Sequence, residues 1–179
     1  MLAKTALMAG LEFDALPYEE GRLWELLDGE LTPVSSPTMG HQEIVFRILM
    51  ALKQYLTRKG GIGSHDVEFA LSKDTRVRPD VWLILAPRSL TLDSSRVPLP
   101  GGPDLAVEII SPSEYAADSM RKVAAYLENG VQEVWQIYPK TREAIAYSAK
   151  GEWREFRSGE TLTSWLLADF EIPVPRLFS

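Results

Sequence analysis

Two short apolar segments of the sequence each carry one acidic residue where the neighbouring residues predict a buried strand. Asp80 lies within residues 78–85, and Glu108 lies within residues 103–113. An ionised carboxylate is costly to bury unless a cation or strong hydrogen-bond donors meet it. Two such acids on strands of one sheet therefore favour a divalent-metal site, whereas acids that cap helices, pair with Arg or lie at a wet sheet rim are the plain alternative.

Lys122 follows these acids on a predicted helix and completes an Asp, Glu and Lys series that is typical of a hydrolase. Mg²⁺ prefers hard oxygen ligands and usually keeps several waters, so Asp80, Glu108 and the main-chain carbonyl of Ile109 would suffice to hold it. Mn²⁺ is a possible substitute. Such an ion lowers the pKa of bound water and offsets charge on phosphoryl oxygens, and a neighbouring ammonium group adds to that stabilisation.

The position of Lys122 on its helix leaves two interpretations open. The expected buried stripe consists of Ala116, Met120, Val123 and Leu127. This arrangement puts Lys122 on the flank of the helix, from which it can reach over the sheet rim toward Glu108. The alternative is a solvated pair between Asp118 and Lys122, which are four residues apart.

Two other polar residues are weaker candidates for the same site. His41 begins the first long helix on the side of its apolar residues, so it is expected to point inward and to contact a phosphate or orient an acid. Glu30 follows a hairpin turn and would add an N-terminal acid to the metal shell. A capping or core histidine and a solvated strand-end glutamate are the respective alternatives.

The composition limits the classes of protein to which the chain can belong. The chain has 179 residues, of which 45% are apolar and 25% charged, and this fits one domain spanning residues 1–179. The net charge of −6 argues against a protein that coats nucleic acid by charge alone. Four cations lie near the proposed site in sequence and are expected to make the local charge less negative: Arg76, Arg78, Arg121 and Lys122.

The termini and the cysteine content give further expectations. Residues 1–16 read as a ragged N-terminus whose apolar stretch is too short for a membrane span, which favours a cytoplasmic protein. The absence of cysteine excludes disulfides, thiolate ligands and a cysteine nucleophile.

The remaining pattern predicts an α/β fold, or an α+β fold with a mixed sheet. An N-terminal hairpin turns at Asp28-Gly29, and a helix covers residues 40–59. Residues 66–71 and 77–85 are expected to pair as antiparallel strands. A strand at 105–110, a helix at 114–128 and a strand at 131–138 have the spacing of a βαβ unit. A closing hairpin at 143–156 and a docked tail at 164–179 complete the chain.

With these residues in place, the chain resembles the Uma-two family, nucleases of the PD-(D/E)xK restriction-endonuclease-like class. The resemblance extends from end to end of the chain. It is carried by Trp24-Glu25-Leu26-Leu27-Asp28-Gly29-Glu30-Leu31, Ser36-Pro37, His41-Gln42, Arg78-Pro79-Asp80-Val81, residues 103–113, Asp118-x-x-x-Lys122-x-x-x-Tyr126, residues 130–135 and Phe170 to Pro173.

This resemblance implies a mixed β-sheet flanked by helices, with a metal held by Asp80 and Glu108. The parent class has a lysine two residues after the second acid, where this chain has Ile110, and the resemblance implies that Lys122 replaces it. Glu30 and His41 align with N-terminal polar positions of the family. The implied activity is Mg²⁺-dependent cleavage of DNA, with a homodimer expected because nucleases of this class often cut duplexes in pairs.

Two rival functions stay open at the level of sequence. A catalytically silent nucleic-acid- or protein-binding module of the same fold is favoured by the acidic composition. A metal hydrolase that acts on a small phosphoester would use the same three residues.

Overall fold

A computed structural model describes residues 7–17, 23–111 and 114–179 of the chain. Four α-helices lie within these residues, α1 (Gly10–Asp14), α2 (Met39–Lys59), α3 (Ala116–Glu128) and α4 (Val174–Leu177), together with a 3-10 helix at Arg88–Thr91. The strands are β1 (Leu23–Leu27), β2 (Glu30–Val34), β3 (Ile62–Ser64), β4 (Phe69–Ser72), β5 (Thr75–Val77), β6 (Val81–Ile84), β7 (Leu99–Pro100), β8 (Leu105–Ile109), β9 (Glu133–Tyr138), β10 (Glu143–Ser148), β11 (Trp153–Phe156), β12 (Thr161–Thr163) and β13 (Glu171–Pro173). None of the described helices is long and apolar enough to cross a membrane.

The smaller of the two main sheets contains the N-terminal hairpin. Its five strands have the order β2-β1-β5-β4-β7. The predicted turn is confirmed, since Asp28 and Gly29 both have positive φ, 52° and 79°. This conformation suits a tight two-residue connection between twisted strands. The second neighbour of β1 in this sheet is β5, which directly precedes the segment that contains Asp80.

The larger sheet has six strands in the order β11-β10-β9-β8-β6-β3. Strands β8 and β9 run parallel and are joined through α3, which confirms the predicted βαβ unit. The closing hairpin is also confirmed, because β10 and β11 pair antiparallel. The two short strands β12 and β13 form a separate antiparallel pair within the docked tail. The fold is a mixed α+β architecture, as the sequence pattern predicts.

Alternation along the strands of the larger sheet divides the core into two clusters. Val107 and Ile109 belong to the cluster beneath α2, whereas Ala106 belongs to the cluster that includes residues of α3. Successive side chains of a strand point to opposite faces. Glu108 is therefore directed to the α3 face, between Val107 and Ile109, which point the other way.

One predicted strand is wrong in its extent. The run 77–85 is broken at residues 78–80, so that β5 stays in the smaller sheet and β6 enters the larger one. The predicted antiparallel pairing holds for β4 with β5, while β6 pairs with β3 and β8. Pro79 has no N–H to donate to a ladder, which favours a break at this point. Asp80 consequently lies at the bend that connects the two sheets.

The N-terminal segment differs from the expected ragged start where the structure describes it. Phe13 in α1 is buried, and Asp14 forms two hydrogen bonds of 2.8 and 2.9 Å with the Arg76 guanidinium. Arg76 is itself buried, and burial of a cation requires such a partner. Residues 1–6 lie outside the described residues.

Candidate active site

The Asp80 carboxylate is held at the bend between the sheets by one main-chain donor and one histidine. The Ile109 N–H donates to Asp80 Oδ2 over 2.7 Å, and His41 Nε2 lies 3.3 Å from Oδ1. In an extended strand the N–H and C=O of one residue point to the same side. The carbonyl of Ile109 therefore faces the same space as Asp80, as a shared ligand set requires.

The Glu108 carboxylate receives one donor on each oxygen from helix α3. The Tyr126 hydroxyl donates to Oε1 over 2.6 Å, and Lys122 Nζ donates to Oε2 over 2.9 Å. Tyr126 and Lys122 are four residues apart and so share one face of the helix. The βαβ connection places that face directly over the side of β8 from which Glu108 projects.

Lys122 is a largely buried cation, with 15% of its side chain exposed, which excludes the solvated pair with Asp118. Its ammonium lies 2.9 Å from Glu108 Oε2 and 3.1 Å from Glu25 Oε2. The expected buried stripe of α3 is rotated, because Met120 is 45% exposed whereas Ser119 and Tyr126 are buried. The buried face of α3 contains polar residues because they meet buried polar partners from the sheet. The apolar residues alone therefore do not identify the buried face of this helix.

Glu25 is a site residue that the sequence analysis did not select. It is buried, and its Oε1 accepts a hydrogen bond of 2.7 Å from the Arg78 N–H. The sequence does contain a sign of this role. Glu25 is a charged residue within the apolar strand β1, where it is buried, and a buried charge needs a partner. Glu25, and not Glu30, is the acid of the N-terminal hairpin that lines the cleft.

Glu30 does not lie with the other candidates. Its side chain is about half exposed and accepts a hydrogen bond of 2.8 Å from Arg121. Glu25 lies in β1 and Glu30 at the start of β2, and the Cα partner of Glu30 in the hairpin register is Leu27. The structure therefore places Glu30 in a surface ion pair, where it cannot complete a metal shell with Asp80 and Glu108.

His41 points inward as its helical position predicts. The N-cap Thr38 accepts a hydrogen bond from the His41 N–H, which fixes the first turn of α2. Hydrogen bonding to Asp80 raises the pKa of His41 above 6.5, although burial alone would lower it. With Nε2 directed at Asp80, Nδ1 is buried and has no partner among the described residues.

A cleft of about 1050 Å³ lies between the hairpin, the first turns of α2 and the end of β8, and it is lined by Glu25, His41, Asp80, Glu108 and Lys122. Its walls carry more acids than cations. The acids are Glu25, Glu43, Asp66, Asp80, Glu108, Glu114 and Asp118, and the cations are Arg47, Arg78, Lys122 and Arg142, with His41 and His65. The expectation of a less negative local charge is wrong for Arg76 and Arg121, because the first binds Asp14 and the second binds Glu30 outside the cleft.

Burial controls the protonation of the central pair. It raises the pKa of Glu108 from 4.5 to about 8, with a further rise from Asp80 and Glu25 and an opposing effect of Lys122. Burial alone would lower the pKa of Lys122, but the charges of Glu108 and Glu25 outweigh it and raise that pKa. Lys122 thus stays protonated and faces the acidic groups of Glu108, Glu25 and Asp80.

The donor set at this point fits a divalent cation such as Mg²⁺. Asp80, Glu108 and the Ile109 carbonyl offer hard oxygens, and Mg²⁺ commonly takes one or two carboxylates with waters. Tyr126 and Lys122 hold the carboxylate of Glu108 in place, as outer partners do around metal ligands. No cluster of three or more His, Cys, Asp and Glu side chains suited to a metal occurs among residues 7–17, 23–111 and 114–179.

Comparison with known proteins agrees with this architecture. A sequence model of the Uma2 family, described as "Putative restriction endonuclease", matches residues 11–175. The crystal structure of a protein from Anabaena variabilis, described as a putative nuclease belonging to DUF820, is similar with a TM-score of 0.78. That protein is 18% identical, and the match covers 93% of this chain and 95% of the other. No curated protein matches the chain at a significant level.

Proposed function

This chain belongs to the Uma2 family, and we propose that it is a Mg²⁺-dependent endonuclease that hydrolyses DNA phosphodiester bonds in the cytoplasm, with Mn²⁺ as a substitute ion. One observation carries the proposal. Lys122 is buried between Glu108 and Glu25 in a cleft that also holds Asp80. A buried cation among several acids, open to a cavity, is a common arrangement at catalytic sites because it perturbs pKa values there.

The division of work follows from the contacts of each side chain. Asp80, Glu108 and the Ile109 carbonyl would hold the ion, which lowers the pKa of bound water and neutralises charge on phosphoryl oxygens. Lys122 stays protonated, so its role is to orient the water or to stabilise negative charge rather than to remove a proton. Glu25 holds the ammonium of Lys122 in position from the opposite side.

Two unpaired donors in the cleft support an anionic substrate. His41 Nδ1 and Arg78 Nε are both buried and have no partner among the described residues. Arg78 Nε is always a donor, whereas His41 Nδ1 donates when the imidazole is protonated, a form that the hydrogen bond to Asp80 favours by raising the pKa of His41. Both residues line the cleft, and a buried donor without a partner costs free energy that a bound acceptor recovers. A phosphate group supplies such acceptors, so these two atoms are the proposed contacts to the substrate backbone.

A catalytically silent binding module of the same fold is the second candidate. It is favoured by the donors on Glu108, since both carboxylate oxygens already accept a hydrogen bond within the protein. Lys122 would then be a purely structural cation in this protein. The acidic lining of the cleft favours the same alternative, because electrostatic binding of a DNA backbone relies on Lys and Arg side chains that neutralise its phosphates.

Cleavage of supercoiled plasmid by the purified protein in Mg²⁺ or Mn²⁺ tests the proposal. The matched variants are Glu108→Gln, which keeps the shape of the site, and Glu30→Gln, which changes an exposed glutamate outside it. We expect nicking by the wild type and by Glu30→Gln, with at least about a hundredfold loss in Glu108→Gln. Single-stranded DNA, RNA and a small phosphodiester in parallel reactions separate the possible substrates. Absence of turnover on all four would favour the silent module.

A further inference from the structure

Helix α2 carries an apolar stripe on the side that faces away from the core. Met39, Phe46 and Met50 are 84%, 60% and 56% exposed. On a helix with 3.6 residues per turn, Phe46 and Met50 both lie about 160° around the axis from the buried residue Ile48. The stripe thus lies on the side of the helix opposite the buried residue Ile48, and its three side chains are mostly exposed.

The spacing of this stripe is that of a coiled-coil seam. The positions that share the face are separated by four and three residues in strict alternation: Met39, Glu43, Phe46, Met50, Lys53 and Thr57. Such spacing is the a/d pattern by which two helices pack along their length. The two apolar residues at the centre, Phe46 and Met50, are flanked on one side by an acid and on the other by a base.

The charges of the seam select one way of pairing. In an antiparallel pair related by a two-fold axis near residue 48, a-type positions meet d-type positions of the other helix. Phe46 then packs on the second copy's Met50, and Glu43 meets the second copy's Lys53. A parallel pair would instead bring Glu43 to Glu43 and Lys53 to Lys53, which is repulsive. Lys53 forms no ion pair within residues 7–17, 23–111 and 114–179. Glu43, which is 57% exposed and also lines the rim of the cleft, lies 3.3 Å from the half-buried Arg47, one turn along the helix.

From this self-complementary charge pattern we infer that the outer face of α2 is an interface with a second copy of this chain, joined antiparallel about a two-fold axis. An isologous contact of this kind uses the same patch on both copies. His41 lies seven residues from the axis on each helix, so the two clefts are separated by about 20 Å along the helix direction. The inference goes beyond hydrolysis, and its test does not depend on activity.

Sedimentation equilibrium of the full chain and two charge variants tests this interface. Glu43→Lys makes both charged positions of the seam positive, and Lys53→Glu makes both negative. We expect the wild type to dimerise, each variant alone to be a monomer, and an equimolar mixture of the two variants to dimerise again. One helix pair buries less than the roughly 1,600 Å² of a standard interface, so concentrations up to about 200 μM are needed.

The mixture shows whether a charge variant is monomeric because its interface is disrupted or because it does not fold. A variant that fails to fold cannot form a dimer with the other variant. Phe46→Ser serves as the apolar counterpart and is expected to be a folded monomer by circular dichroism and sedimentation. Three results would overturn the inference. They are a monomeric wild type at all concentrations, dimers of either charge variant alone, or a mixture of the charge variants that stays monomeric. A face that binds another protein would give the first of these results.

Discussion

Replacement of Lys122 by methionine removes the only cation that contacts both Glu25 and Glu108 in the described chain. The side chains of these glutamates are 9% and 10% exposed, so neither can be solvated in place of the lost ion pair. Breaking a buried pair by removing one partner costs about 3–5 kcal/mol, because a buried charge is left without compensation. Against a usual stability of about 5–15 kcal/mol, this loss is large.

The pKa of Glu108 determines whether this loss of stability is larger at low pH or at high pH. Burial raises that pKa from 4.5 to about 8 in the wild type, and the loss of Lys122, whose charge lowers it, raises it further. A carboxyl with a raised pKa in the folded state contributes stability below its unfolded pKa and loses that contribution as pH rises. We therefore expect Lys122→Met to cost about 3–5 kcal/mol at pH 8.5 and clearly less at pH 5.5.

Urea unfolding followed by tryptophan fluorescence at both pH values measures this difference. Lys150→Met is the matched control, because Lys150 is exposed in the turn between β10 and β11. The control is expected to stay within about 0.5 kcal/mol of the wild type at either pH. An equal loss at pH 5.5 and 8.5 for Lys122→Met, or a loss below about 1 kcal/mol at pH 8.5, would refute the buried charge cluster.

The contacts of the same cluster give three further predictions. Glu25→Gln is expected to reduce plasmid cleavage at least about tenfold while Glu30→Gln leaves it unchanged, and equal rates for both variants would exclude Glu25 from the site. Tyr126→Phe leaves Glu108 Oε1 without its donor and should lower the free energy of unfolding in urea by about 1–3 kcal/mol, an effect that must disappear in a Glu108→Leu background, which has no acceptor for the Tyr126 hydroxyl. The pKa of His41 is raised chiefly by its hydrogen bond to Asp80, so this interaction stabilises the protein fully below pH 6.5 and is lost as pH rises through the raised pKa. His41→Gln should thus cost more stability at pH 6 than at pH 9 in thermal melts, and the opposite order would contradict the assignment.

Much of the fold could be predicted because its elements carry local signals. The Asp28-Gly29 turn, the apolar stripe of α2 and the βαβ spacing around α3 each follow from residues close together in sequence. The division of residues 77–85 between two sheets could not be predicted in this way. A continuous apolar run gives no sign of which neighbour each half pairs with, and only the proline at residue 79 marks the break.

The candidate site shows the same limit. Asp80, Glu108 and Lys122 are predicted together because two acids interrupt apolar runs and a lysine follows. In the structure Lys122 contacts Glu108, and all three residues line one cleft. Glu25 was missed because its partners, Lys122 and the Arg78 N–H, are distant in the sequence. Only the pairing of β1 with β5 brings this residue to the cleft, and that pairing has no local signal.

Calorimetric titration of Mn²⁺ into the wild type and into Asp80→Asn tests the central claim, that the Asp80 and Glu108 carboxylates hold a divalent ion. Asparagine keeps the shape of Asp80 and can still accept a hydrogen bond from the Ile109 N–H, so the site stays folded while one charged ligand is removed. We expect one ion bound per wild-type chain and at least about a tenfold weaker affinity in Asp80→Asn. Binding of the same affinity to both proteins, or no binding to the wild type, would contradict it.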